Sequence, residues 1–131
     1  MNRKFFLILA GVLLFCAPVF AHHGYGAYDM TASRTVKGTI TSFTLANPHS
    51  RVMFDTKNAA GVVEHWTLET GPAVRGMKAA GWAFNSIKPG DDLTISFHPS
   101  KNGAPVGVLI KVVFPDGHAL PGKTAPNEPG N

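Results

Sequence analysis

Two adjacent histidines, His22 and His23, stand where an apolar leader gives way to Gly24-Tyr25-Gly26-Ala27-Tyr28-Asp29. If the chain is cut after Ala21, His22 becomes its first residue. The α-amine and ring Nδ1 of His22 can then close a chelate ring on one metal ion, which an internal histidine cannot do. His23 adds a second imidazole, with its own amide nitrogen between the two. A third imidazole, His49, follows Asn47-Pro48 in a loop that proline stiffens, and it can swing toward the same ion. Nitrogen donors arranged in this way suit square-planar or T-shaped Cu(II) better than tetrahedral Zn(II). The expected metal ligands are therefore His22, His23 and His49, with copper as the ion. Asp29 is the carboxylate nearest along the arm. It is a candidate to hydrogen-bond a ligand, although a solvated turn residue is its plainer reading.

That chemistry depends on a leader being removed. Asn2-Arg3-Lys4 is a positive start, Phe5 to Phe20 is apolar, and Val19-Phe20-Ala21 offers a cleavage site, so residues 1–21 read as a signal peptide and the mature protein as periplasmic or secreted. A membrane-anchored helix is the competing reading, but the apolar run is shorter than the roughly 20 residues a span needs, and no positive stop-transfer cluster follows. Cys16 is the single cysteine and lies inside the leader, where bulky Phe15 argues against a lipoprotein box. Cleavage after Ala21 leaves no thiolate ligand and no disulfide, so a metal site must use nitrogen and oxygen. It also leaves 10 of the 12 Lys and Arg against 8 acidic residues, without a basic run, which argues against a nucleic-acid partner.

The elements that must carry these histidines are mostly strands. Residues 22–34 read as an arm that Tyr25, Tyr28 and Met30 could pin to the domain. From Thr35 to Leu45 the chain is β-rich, with Val36 and Ile40 in one phase and Phe43 and Leu45 in the other, so a bulge or sharp coil is expected near Gly38 or Ser42. Ser50 to Thr56 forms a second strand with Val52 and Phe54 inward, and Lys57 to Gly61 a turn. Val62 to Thr70 forms a third, with Val62, Trp66 and Leu68 sharing a face and Glu64 at a strand end or paired. Pro72 opens a short helix through Val74 and Met77 that Gly81 ends, with Trp82 and Phe84 closing the core beneath it. Leu93 to His98 is a fourth strand with Leu93, Ile95 and Phe97 inward. Val106, Val108, Ile110, Val112 and Phe114 alternate along a fifth. Residues 35–120 thus read as one mainly β domain, a small five-stranded OB-like barrel with a short helix between strands three and four; a small open sandwich is the alternative. Residues 121–131 read as a disordered polar tail.

Several motifs run through the mature chain: His22-His23-Gly24 with Tyr28-Asp29 a few residues on, Asn47-Pro48-His49-Ser50, Trp66 and Glu69 before Gly71-Pro72, Gly81-Trp82, Lys88 to Asp91, and Pro115 to Gly117. Together they resemble a family of small exported bacterial proteins known only as a domain of unknown function, which implies export and one domain but no activity. His22 with one further histidine is also similar to the histidine brace of copper enzymes and exported copper-binding proteins. Two readings of function stay open. One is a periplasmic protein that binds copper to store, buffer or pass it on. The other is a non-catalytic module whose outward face, with His65, Thr67, Thr94, Ser96 and His98, takes a saccharide, an envelope component or a protein partner. A copper oxidase or oxygenase has less support, because so small a barrel offers little platform for a substrate. His65, His98 and His118 read as ordinary surface residues, and no stable membrane anchor is expected after cleavage.

Overall fold

The computed structural model describes residues 24–122. Its strands are β1 (Arg34–Thr44), β2 (Arg51–Lys57), β3 (Val63–Glu69), β4 (Asp92–Pro99), β5 (Val106–Val113) and β6 (Ala119–Pro121), with helix α1 (Val74–Ala79) between β3 and β4. Five strands close into a mixed barrel in the order β3-β2-β1-β4-β5. The closing seam is a short parallel pairing that sets Thr67, Leu68 and Glu69 against Val106, Gly107 and Val108. Every other pairing is antiparallel.

The long first strand makes closure achievable. Its first half pairs with β4, from Arg34 against Phe97 to Thr39 against Asp92. Its second half pairs with β2, and the register slips between Ile40 and Ser42. Thr41 is the extra residue, which lies between the two positions expected from the phase change. The bulge lets Ile40 before it and Leu45 after it both enter the core. Gly38 is the close-packing residue of this bend, because a Cβ there would sit 2.5 Å from the Phe54 ring.

Val52, Phe54, Trp66, Leu68, Ile95, Phe97, Leu109 and Val112 fill the barrel, and Met77, Trp82 and Ile87 extend the same core under α1. Gly81, at φ +96°, turns the chain after the helix, and the Trp82 amide closes the end on the Met77 carbonyl at 3.0 Å. The Trp82 ring lies 5.1 Å from that of Phe43, and its Nε1–H donates to the Pro121 carbonyl at 2.7 Å. Glu64, which falls in the buried phase of β3, is paired. Its Oε2 accepts from Trp66 Nε1 at 3.0 Å and lies 3.6 Å from the guanidinium of Arg34, which itself sits 4.8 Å over the Trp66 ring.

Four details depart from the alternation. Phe84 is 68% exposed and does not close the core, because the chain leaves the barrel surface between Trp82 and Ile87. Val62 lies before β3 begins and is exposed. On β5 a second register slip pairs Phe97 with Leu109 but Ser96 with Lys111, so Ile110 is the extra residue and Leu109 takes the inward place. Val108 is buried outside the main core cluster. Finally, Pro121 belongs to β6, a short strand on β5, and Gly122 donates to the Ile110 carbonyl at 2.8 Å; the rest of the expected tail lies outside the described residues.

The closing seam is closely packed. A Cβ on Gly107 would lie 2.5 Å from the backbone carbonyl of His98 and 3.0 Å from both Leu68 and Phe97. Gly107→Ala is therefore expected to lower stability by about 1–3 kcal/mol through overpacking. An unchanged urea midpoint would show that the seam opens freely.

Candidate functional site

The arm is docked onto the barrel. A 3₁₀ turn at Tyr25–Ala27 is closed by the Tyr28 amide on the Tyr25 carbonyl at 2.9 Å. Tyr28 then forms a β-bridge with Ser100, the Asp29 amide donates to Pro99 at 2.8 Å, and the Lys101 amide donates to Ala27 at 3.0 Å. Asp29 makes the turn that follows. Its Oδ1 accepts from the Thr31 hydroxyl at 2.7 Å, the Thr31 amide at 3.0 Å and the Ala32 amide at 3.2 Å. The Thr31 hydroxyl and amide hold its carboxyl below the ordinary range. Asp29 thus serves its own turn and does not line the cleft described next.

Between the arm and the barrel lies an open cleft of about 680 Å³. Gly24, Tyr25, Ala27 and Tyr28 form one wall, the loop Ala46–His49 another, and the ends of β1, β2 and β3 contribute Thr44, Arg51, Glu69 and Thr70. The loop wall is firmly held. The Asn47–Pro48 peptide is cis, and Asn47 Oδ1 accepts the Val74 amide of α1 at 2.9 Å. Ser50 and Thr70 are buried and bind each other twice: the Ser50 amide donates to Thr70 Oγ1 at 3.1 Å, and the Thr70 amide donates to the Ser50 carbonyl at 3.0 Å.

His49 is half-buried beside this lock, with its Nδ1 3.0 Å from the Thr70 carbonyl. A carbonyl only accepts, so Nδ1 carries a hydrogen, and in the neutral ring the lone pair is then on Nε2. This is the arrangement that prepares an imidazole to bind a metal through Nε2. Glu69 lies opposite Arg51 across the β2–β3 ladder and lines the cleft together with Tyr28. Burial raises the Tyr28 phenol above its ordinary value, and the charge and hydrogen bond of Glu69 raise it further.

Of the expected ligands, the structure places His49 on the cleft. His22 and His23 lie outside the described residues, immediately before Gly24 on the cleft rim. Among the described residues, no three His, Cys, Asp or Glu side chains converge closely enough to hold an ion. The remaining histidines do not line the cleft. His65 Nδ1 lies 2.6 Å from Asp55, His98 Nδ1–H donates to the Ala32 carbonyl at 2.7 Å, and His118 lies 2.6 Å from Asp116 while stacking on Phe114. Ser96, expected on the outward face, is buried between its cross-strand partners Thr35 and Lys111, with its hydroxyl 2.9 Å from that of Thr35. Glu69 and Tyr28 are cleft residues that strand periodicity did not single out. The signal that could have found Glu69 is the Trp66-to-Glu69 spacing before Gly71-Pro72.

A closed five-stranded barrel in this strand order, with one short helix between β3 and β4, makes the chain a small OB-like β-barrel protein. It belongs to a family of unknown function, DUF6152, whose model matches residues 11–110. No curated protein and no solved structure matches the chain. Among the described residues, no helix is long and apolar enough to cross a membrane.

Two measurements test this geometry. In mildly alkaline solution, two-bond ¹⁵N–¹H correlations should give His49 as the Nδ1–H tautomer; an Nε2–H form would mean that the bond to Thr70 is not made. Tyr28 has its folded pKa raised above the unfolded value near 10. Its contribution to stability is therefore complete below that value and disappears as pH rises through the raised folded pKa. An alkaline absorbance titration should show a late-ionising phenol that Tyr28→Phe removes.

Proposed function

We propose that the mature protein begins at His22 and binds one Cu(II) ion at the cleft, acting outside the cytoplasm to hold, buffer or pass on copper. The observation that carries this reading is the placement of Gly24 and His49 on walls of one cleft. Two residues of extended chain reach at most about 7 Å, so a terminal amine at His22 cannot lie farther than that from Gly24. The chelate of the His22 amine and ring would thereby be tethered to the cleft that His49 lines. The arm that carries it is anchored at Ala27, Tyr28 and Asp29 by backbone hydrogen bonds.

Each residue has a distinct part in this arrangement. His22 would contribute its amine and one ring nitrogen, His23 a second imidazole, and His49 its Nε2. The Thr70 carbonyl keeps the proton on the other nitrogen of His49 and fixes the ring. Bound copper would supply redox and Lewis-acid chemistry. The leader sequence, with its positive start and Ala21 before His22, supports export and the free terminus.

Copper titration of protein whose terminus is verified as His22 by mass spectrometry should give about one tight equivalent. An added methionine before His22 should weaken that binding by roughly 10–100-fold or more, and His49→Ala should also weaken it. Unchanged affinity in the methionine-extended protein would eliminate the terminal chelate, and with it this reading.

A further inference from the structure

We propose that Arg75, Lys78 and Phe84, on α1 and the loop that follows it, form a docking surface for an anionic lipid layer. None of the three lines the cleft, and nothing in the proposal depends on copper. At 68% exposure, Phe84 is the most exposed large apolar side chain among the described residues. A single exposed ring is ordinary on a protein surface. What sets this one apart is the charge beside it. The Nζ of Lys78 lies 4.9 Å from the centre of the Phe84 ring, so a cation and an apolar tip share one spot.

Charge is unevenly distributed around that spot. Arg75 and Lys78 are three residues apart on α1, hence neighbours on one helix face, and both are exposed. Val74 and Met77 pack against the core instead. From Thr70 to Gly90 the chain carries Arg75, Lys78 and Lys88 and no carboxylate. Lys88 is paired with Asp91 at 2.6 Å, whereas Arg75 and Lys78 have no ion-pair partner among the described residues. The residues packed against this segment bring no negative charge either. Phe43 lies against Trp82, Asn47 binds the Val74 amide, Leu120 approaches Gly81, and the Pro121 carbonyl accepts from Trp82.

Two unneutralised cations beside a protruding ring fit the headgroup region of an anionic bilayer. The ring enters the acyl boundary, and the ammonium of Lys78 stays level with the phosphates while its stem follows the ring. A stable protein interface covers about 800 Å² on each side. This prominence is a six-residue helix and one loop, which a lipid surface accepts more readily. Each Lys or Arg close to an anionic surface raises affinity roughly fivefold, so two of them with one ring make a reversible contact and not an anchor.

The test is co-sedimentation with vesicles of phosphatidylcholine alone and of phosphatidylcholine containing about one-third phosphatidylglycerol. A chain of residues 22–131 is used, which holds every described residue and lacks the apolar leader that would otherwise enter a bilayer by itself. Urea midpoints establish that it and each variant are folded. The unsubstituted chain should bind the mixed vesicles but not the neutral ones, and should come off as salt rises from about 0.05 M to about 0.5 M. Phe84→Ser should weaken binding roughly 10-fold, and Arg75→Gln combined with Lys78→Gln roughly 30-fold. Lys57→Gln, at the far end of β2, should change it by less than about twofold. If Lys57→Gln weakens binding as much as the double variant, net charge and not this face is responsible, and the proposal falls. Binding that survives both Phe84→Ser and the double variant overturns it too. So does an unsubstituted chain that ignores the mixed vesicles, which would leave the exposed ring to a protein partner.

Discussion

A single strand that must pair with two neighbours over one length governs this molecule. β1 lies against β4 at one end and β2 at the other, and Thr39 is paired on both sides. A straight strand could not turn from one partner to the next while keeping its apolar side inward. The extra residue at Thr41 resolves this by adding local twist and shifting the side-chain phase, and Gly38 lets the bend press onto Phe54. The rest follows from that bend. It brings β3 and β5 round to meet over a seam of three residue pairs, and it delivers the end of β1 to the loop that carries His49.

The cleft joins two kinds of support. Glu69 stands at the end of β3 and His49 in the loop that leads into β2, next to a buried pair of residues, Ser50 and Thr70, whose hydrogen bonds tie the two chain segments together. The backbone that carries both side chains is thereby part of the barrel frame. The opposite wall is an arm held by a few backbone bonds to residues 99–101, with its own short 3₁₀ turn. Local opening of such a segment costs far less than unfolding the barrel. A ligand shared between the two walls would therefore be carried on one side by a fixed frame and on the other by a part able to yield.

Much of the fold was legible because one barrel face is apolar and the other is not. Alternation gave the inward residues of β2 and β4, and the change of phase inside β1 pointed to a bulge near Gly38 or Ser42, where Thr41 is the extra residue. The same rule failed on β5. Val106-Gly107-Val108-Leu109-Ile110 is apolar in both phases, so nothing in it marks Ile110 as the extra residue. β6 escaped because three residues ending in proline carry no strand period, and Trp82 binding to Pro121 is a contact that only the closed barrel creates. For the site, His49 stood out as an imidazole after a proline. Glu69 did not, because its place on the cleft depends on the arm that carries Tyr28, and strand periodicity says nothing about where that arm docks.

The four described histidines are alike in bonding and differ in place. His65 and His118 set Nδ1 against the carboxylates of Asp55 and Asp116, and His49 and His98 set it against backbone carbonyls. Each partner is an acceptor that holds the hydrogen on Nδ1, so hydrogen bonding alone does not choose among them. Position does, since His49 borders the cleft that Gly24 opens and the other three do not. What makes His49 the better partner for the terminal histidines is this coincidence of tautomer and place. Both come from one source, the lock between Ser50 and Thr70, which sets the carbonyl of Thr70 beside the ring and the ring beside the arm.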